Sequence, residues 1–253
     1  MMDNGSPKIV VTYRLKNAKK WIQHSIESVL DLCDEIVIVD ASDDGTLEIC
    51  QNYKKVTDIF HDKNLPFDET RDKNQLWEMA KKRNPDYILN LDGDEILMPY
   101  AKQILFEELN ILHSEASVLQ FQFLEMWDTP NQYRVDGFFN NIWKPKLVKM
   151  KNQPTDLKYD DMPFPGNAHC PGIPQKSVDI DKVVRSSVKI LHYGNYFKSS
   201  RENHFEFYNQ LDPNNTIFDG YKHLISANTK FSGSDGMKFK KIPKNIVDLT
   251  LKN

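Results

Sequence analysis

Four short apolar runs, at residues 9–14, 35–40, 56–61 and 86–92, alternate with segments of helical periodicity, and this alternation constrains the fold more than any other feature of the chain. The runs read Ile-Val-Val-Thr-Tyr-Arg, Glu-Ile-Val-Ile-Val-Asp, Val-Thr-Asp-Ile-Phe-His and Asp-Tyr-Ile-Leu-Asn-Leu-Asp. Between them, Trp21, Ile22, Ile26, Val29 and Leu30 share one helical face, and Leu47, Ile49, Cys50 and Tyr53 mark a second helix. The second helix is announced by the turn and N-cap signal Ser42-Asp43-Asp44-Gly45-Thr46. A third helix is predicted over 69–83, with Leu76, Met79 and Ala80 inward and Asn84-Pro85 as its stop. Buried strands that alternate with helices predict a parallel sheet with βαβ crossovers.

Ligands of such sheets bind beyond the carboxyl ends of the strands. Thr12, Tyr13, Arg14, Asp40 and Asp92 all fall at those ends. Strand ends often carry polar residues, which accounts for any one of them but less well for the set. The fourth run passes directly into Asp92-Gly93-Asp94-Glu95. A lone Asp-x-Asp is far more often an acidic turn than a site; its setting here favours the site. Side chains two apart in an extended chain share a side, so the two carboxylates need a cation between them or solvent around them. Hard ions such as Mg2+ and Mn2+ take oxygen ligands and are often shared with substrate phosphates. A metal-diphosphate site is expected, with Asp94 as the leading ligand. Asp92 then binds the metal, or the ribose through water. Asp40 suits a nucleotide base or ribose as a hydrogen-bond acceptor. Arg71 and Lys73 suit the diphosphate, with a plain surface role as the competing reading.

The second half reads differently. Residues 117–127 alternate, with Val118, Gln120, Gln122 and Leu124 opposite Leu119, Phe121 and Phe123. Together with the aromatic and Lys-rich stretch 133–150 they suit an antiparallel or mixed extension of the sheet. Residues 151–176 hold Pro154, Pro163, Pro165, Pro171 and Pro174 with Gly166 and Gly172, a long loop of the kind that is functional or disordered. A strand is predicted at 187–193 and a helix rich in His and aromatics at 199–211. The residues beyond Ser232-Gly233-Ser234 read as a loosely attached tail. A formal charge of −3 with dispersed lysines argues against nucleic acid as a partner. No apolar run reaches the roughly 18 residues of a membrane span. The start, Met-Met-Asp-Asn-Gly-Ser-Pro-Lys, lacks a signal-peptide core. Cys33, Cys50 and Cys170 show no Cys-x-x-Cys spacing and read as reduced thiols of a cytoplasmic protein.

The chain resembles family 2-type glycosyltransferases of the GT-A fold, in the branch of lipopolysaccharide-core sugar transferases. Four features carry the resemblance: residues 10–17 with the following helix; Val39-Asp40-Ala41-Ser42-Asp43-Asp44-Gly45-Thr46 as the acidic second-strand motif; Asp92-Gly93-Asp94-Glu95; and Leu191-His192-Tyr193-Gly194-Asn195 as the later His-x-Gly element. Arg71, Lys73 and Asn74 match the basic-plus-Asn helix that precedes the metal strand. The resemblance covers residues 8–100 well and 187–213 moderately. The proline usual after the first strand is absent, Ala41 replaces an acidic residue, and the late acidic pair that often holds the base is not found. The resemblance implies an α/β GT-A fold with a mostly parallel sheet and a mixed extension. It implies a single domain over 1–230, divided into a nucleotide-sugar-binding half (8–100) and an acceptor-binding half (101–230), with 231–253 as tail. The expected activity is metal-dependent transfer of a sugar from a nucleotide-diphosphate sugar to a glycan or other hydroxyl acceptor, with inversion. Mn2+ or Mg2+ is the expected cofactor, held by Asp92, Asp94 and His192. Gly93 joins Thr12, Tyr13, Arg14, Asp40, Arg71, Lys73, Asn74 and Asp92 on the donor side.

Inversion also needs a base for the acceptor hydroxyl. Asp161 is preferred because the Pro/Gly loop can fold over the acceptor; Asp160, Asp136, Asp128 and His169 are the others. Trp127, Phe138, Phe139 and Trp143 are either core or acceptor-stacking residues. Two other functions compete. A nucleotidyltransferase needs a Gly-rich loop after the first strand, and residues 12–20 contain no glycine. A catalytically inactive glycan- or partner-binding domain would not need the intact Asp92/Asp94 pair.

Overall fold

The computed structural model describes residues 6–112, 117–177, 183–214, 219–226, 229, 236–243 and 246. The first half is built as the alternation requires. Strands β1 (Ile9–Leu15), β2 (Glu35–Asp40), β3 (Val56–His61) and β4 (Tyr87–Asp92) are joined by helices α1 (Ile22–Val29), α2 (Thr46–Gln51) and α3 (Glu69–Lys81). The four strands are parallel, in the order β3-β2-β1-β4. Side chains alternate between the two sheet faces. Ile9, Val11 and Tyr13 pack with Ile22, Ile26 and Val29 of α1 on one face. Val10, Val37 and Ile88 pack with Leu76, Met79 and Ala80 of α3 on the other. Both faces are covered, which is why these strands are apolar throughout.

After β4 the chain makes a tight turn and enters β5 (Glu95–Leu97), then helix α4 (Ala101–Leu112). The second half adds β6 (Val118–Trp127), β7 (Thr129–Arg134), β8 (Ile142–Lys149) and β9 (Val183–His192), then helix α5 (Lys198–Leu211) and β10 (Phe239–Lys241). Strand β8 joins β4 and β6 antiparallel, β9 runs parallel to β6, and β5 pairs antiparallel with β9. The sheet is therefore mixed beyond β4, as the second half led one to expect. Residues 93 and 94 alone link β4 to β5, and two residues span only about 7 Å. Yet β8, β6 and β9 lie between those strands in the pairing order. The sheet must curl, and the curl brings the carboxyl ends of β4, β6 and β9 together.

The Pro/Gly loop is fastened to the start of α3. Glu69 accepts from the Cys170 N–H, the Lys73 ammonium donates to the Cys170 and Pro171 carbonyls, and Asn74 pairs with the backbone of Tyr159 in both directions. The three cysteines are free and buried. Most of 231–253, expected to be a tail, lies outside the described residues. Within it, β10 pairs with β7, and Ile242 and Ile246 are buried against Leu124 and Tyr196. Among the described residues no helix is long and apolar enough to cross a membrane.

Candidate active site

Gly93 fixes the turn that follows β4. A Cβ there would lie 2.7 Å from the Ala18 Cβ and 2.8 Å from the Leu15 Cδ2, so only glycine lets the turn pass under the chain leaving β1. The turn delivers Asp92 and Asp94 to different neighbours. Asp92 meets Lys146 of β8, whose ammonium is 3.4 Å from Asp92 Oδ2 and 2.7 Å from Glu95 Oε2. The Asp92 N–H also donates to Glu95 Oε2 (3.0 Å). Burial opposes ionisation of Asp92. The ammonium groups of Lys146, Lys73 and Lys144 outweigh it and hold the carboxyl well below its ordinary range. Glu95 is fully enclosed, and burial pushes it up, against the pull of Lys146.

Asp94 faces His192, the last residue of β9, with Oδ1 3.8 Å from Nε2. The register of the sheet places His192 opposite Glu125 of β6 and Glu95 of β5. Glu125 Oε2 lies 2.7 Å from His192 Nδ1, so Nδ1 carries a proton and Nε2 is turned toward Asp94. Burial opposes the charged ring, but the Glu125 and Asp94 carboxylates raise it to about 9, so the ring would release its Nε2 proton on binding a cation.

Among the described residues no group of three or more His, Cys, Asp or Glu side chains is gathered to hold an ion. Mg2+-type sites commonly need only one or two carboxylates, completed by substrate phosphates and water. Asp94 and His192 suit that arrangement. Two donors each about 2.0–2.2 Å from one ion lie at most about 4.4 Å apart, and theirs are 3.8 Å apart. Gly194 leaves the space beside them open: a Cβ there would sit 2.7 Å from Asp94 Oδ2 and 2.9 Å from His192 Nε2.

The remaining expected residues are distributed around this point. Arg14 reaches α3, where its Nε donates to Asp72 Oδ2 (2.9 Å). Arg71 donates to the other oxygen of Asp72 and to the Pro66 carbonyl. Lys73 and Asn74 hold the Pro/Gly loop, as described above. Asp40 is buried, with Oδ1 accepting from the Ser42 N–H and Oδ2 2.7 Å from His61 Nδ1. Thr12 is buried within β1, its hydroxyl without a hydrogen-bond partner. Tyr13 points into the core and shares a hydrogen bond with Ser25 Oγ. Asp161 is exposed on the loop, Asp136 is buried against Arg134, and Asp128 pairs with Arg201. Of the four aromatics, Trp127 and Phe139 are buried and Phe138 is exposed. Trp143, half-buried, lies under the Arg185 guanidinium.

Glu125 and Lys146 were not anticipated. For Glu125 a signal was present, a charge inside the apolar run Phe123-Leu124-Glu125-Met126-Trp127, whereas Lys146 is one of three lysines in β8 and carried none. A buried charge is retained only where it is paired.

The fold and the family can now be compared with known proteins. A family model described as glycosyl transferase family 2 matches residues 9–164, more than half of the chain. A search of curated proteins finds no sequence match. Among solved structures, S. aureus TarS 1-349 in complex with UDP-GlcNAc superposes with a TM-score of 0.52 at 13% identity, covering 87% of this chain and 70% of that one. The structure of S. aureus TarS gives a TM-score of 0.50 at 15% identity, over 87% of this chain and 42% of that one. The chain thus spans less than half the length of that TarS chain. Identities this low speak to the fold, and they agree with the GT-A architecture expected from the residues. Matched by the family model through all four parallel strands and the Asp92–Asp94 turn, the chain belongs to glycosyl transferase family 2.

Proposed function

We propose that this chain moves a sugar from a nucleotide-diphosphate donor to a hydroxyl of a glycan or glycoconjugate, with inversion and with a divalent cation, Mn2+ or Mg2+. The observation that carries this reading is the pair Asp94 and His192, facing each other across 3.8 Å beside a glycine. When bound there, the ion offsets the negative charge that grows on the leaving diphosphate. Asp92, kept ionised by Lys146, accepts a hydrogen bond from the ribose or its water. Asp40 acts through His61, whose ring it orients at the end of β3. Arg14, Arg71, Lys73 and Asn74 set the positive rim and the loop that close the donor side, while Thr12 and Tyr13 hold β1 in place beneath it. On the acceptor side we assign the base to Asp161, exposed on a loop that α3 holds. The setting is cytoplasmic, where buried cysteines stay reduced.

The test is calorimetric titration with a panel of nucleoside diphosphates, UDP first because a structural relative was solved with UDP-GlcNAc, in Mn2+ and in EDTA. One nucleotide should bind in Mn2+ and at least about tenfold more weakly in EDTA, a difference of about 1.4 kcal/mol. No binding of any nucleotide in either buffer overturns the reading. The anomeric configuration of the product, read by NMR, then tests inversion.

A further inference from the structure

We propose that Glu125, Asn195 and His204 are positioning residues that set the ring of His192 toward the cation, linking helix α5 to the metal site. The inference rests on the metal-dependent reading above.

The connection is continuous and each step is short. His204 Nδ1 lies 3.1 Å from Asn195 Oδ1. The Asn195 side-chain N–H donates to Glu125 Oε1 at 2.6 Å. The second oxygen of Glu125 lies 2.7 Å from His192 Nδ1, and His192 Nε2 faces Asp94. Both oxygens of Glu125 are thus committed, one to the ring and one to the amide. The orientation of Asn195 is set in turn, because its amide must give N–H to Glu125 and oxygen to His204.

Three elements supply these groups. Glu125 comes from β6, directly opposite His192 in the register. Asn195 comes from the turn after β9. His204 comes from the inward face of α5, one turn beyond the buried Arg201. Arg201 fastens the same turn from the other side: its guanidinium donates to the Asn195 and Tyr196 carbonyls, each at 2.9 Å. Helix α5 therefore holds Asn195 by its backbone through Arg201 and by its side chain through His204.

The bond to His192 engages one oxygen of Glu125, and the Asn195 amide satisfies the other. The additional amide and imidazole fix which way the carboxylate lies, and so the direction of Nε2. Groups of this kind around a ligating histidine typically alter metal affinity or activity by about 10–100-fold when removed.

The test measures Mn2+ binding by electron paramagnetic resonance in saturating UDP, beside UDP binding in EDTA and thermal melting. The proteins are wild type, Asn195→Ala, His204→Ala, His204→Gln and Glu125→Gln. Asn195→Ala and Glu125→Gln should weaken Mn2+ binding by about 10–100-fold while UDP binding in EDTA is unchanged. His204→Gln, which can still donate to Asn195, should recover much of the Mn2+ affinity lost in His204→Ala. Asn195 and His204 are half-buried, so their variants carry the test if Glu125→Gln does not fold. Variants that bind Mn2+ as tightly as wild type overturn the relay and leave the metal-dependent reading standing. A wild-type protein that binds UDP but not Mn2+ overturns both.

Discussion

Lys146 carries a charge into the interior because two carboxylates meet it there, and it is 3% exposed, with Glu95 at 0%. Removing one member of such a group strands the others. Lys146→Met should lower the unfolding free energy by about 3–5 kcal/mol, and adding Glu95→Gln should restore part of the loss. Urea titration reads both, and a single variant within about 1 kcal/mol of wild type would show that the three groups are not a unit. Asp94→Asn keeps the shape of its side chain and removes its charge. Transfer should be lost with the melting temperature preserved, and near wild-type transfer would remove Asp94 from the site. Cysteine chemistry gives a third residue-level expectation. Burial pushes the Cys33 thiol up to about 11 and the Cys50 thiol up to about 12. The thiolate is the reactive form, so both should react slowly with Ellman's reagent near neutral pH in the folded protein and fast in denaturant.

Elements of the second half are tied together by one buried arginine. Arg134, at the end of β7, donates Nε and Nη2 to the two oxygens of Asp136 at 2.9 and 2.8 Å, and Nη1 to the His223 carbonyl at 2.6 Å. Its guanidinium lies over the rings of Trp127 and Phe139, and Asp136 also accepts from the Lys238 N–H. Burial works against the Asp136 carboxylate, but the bonds from Arg134 and Lys238 outweigh it and depress the folded value below the ordinary 3.8. A depressed carboxyl stabilises the fold above its unfolded value, and the contribution is lost as pH falls through the folded one. Asp136→Asn should therefore be less stable than wild type near neutrality. The gap should narrow as pH drops from about 5 toward 3, in urea midpoints taken across that range. A constant gap would assign the effect to packing. The four parallel strands and α3 were legible because their burial is dictated locally, by apolar runs, caps and a proline stop. Helix α4, with Leu105 and Leu109 one turn apart in the core, went unread between two stronger signals. Strand β5 is too short to announce itself. Strand ends, which mark the ligand side of a parallel sheet, drew attention to Asp92 and Asp94, and the family resemblance drew it to His192; their role as ligands is the reading proposed above. The partners Glu125 and Lys146 were not legible, since their meaning depends on which strands become neighbours after the sheet curls.

The whole molecule turns on that curl. Candidate ligands Asp94 and His192 come from the two halves of the chain, so the candidate site forms only when the first half, ending just after β4, and the second half, through β9 and α5, are both folded. The two halves also share one sheet through the β4–β8 pairing. Such a chain should unfold as one unit. The tryptophans test this, because Trp127 and Trp143 report on the second half, while Trp21, packed on Tyr193, and Trp77, packed on Tyr159, report on the junction of the two halves. Fluorescence from variants that keep only one of these pairs should trace the same urea transition as circular dichroism, as two-state unfolding requires. Ligand should then move that transition as a whole. A nucleotide with Mn2+ at about 100 times its dissociation constant adds about 2.7 kcal/mol to a state that alone binds it. In a chain of this size each kcal/mol raises the melting temperature by about 2–4 °C, so a rise of about 5–10 °C is expected by both fluorescence reporters. A rise seen by Trp77 but not by Trp21, which rests on Tyr193 and Phe197, would mean that the donor is held without β9 and α5. His192 and the residues behind it would then lie outside the donor site.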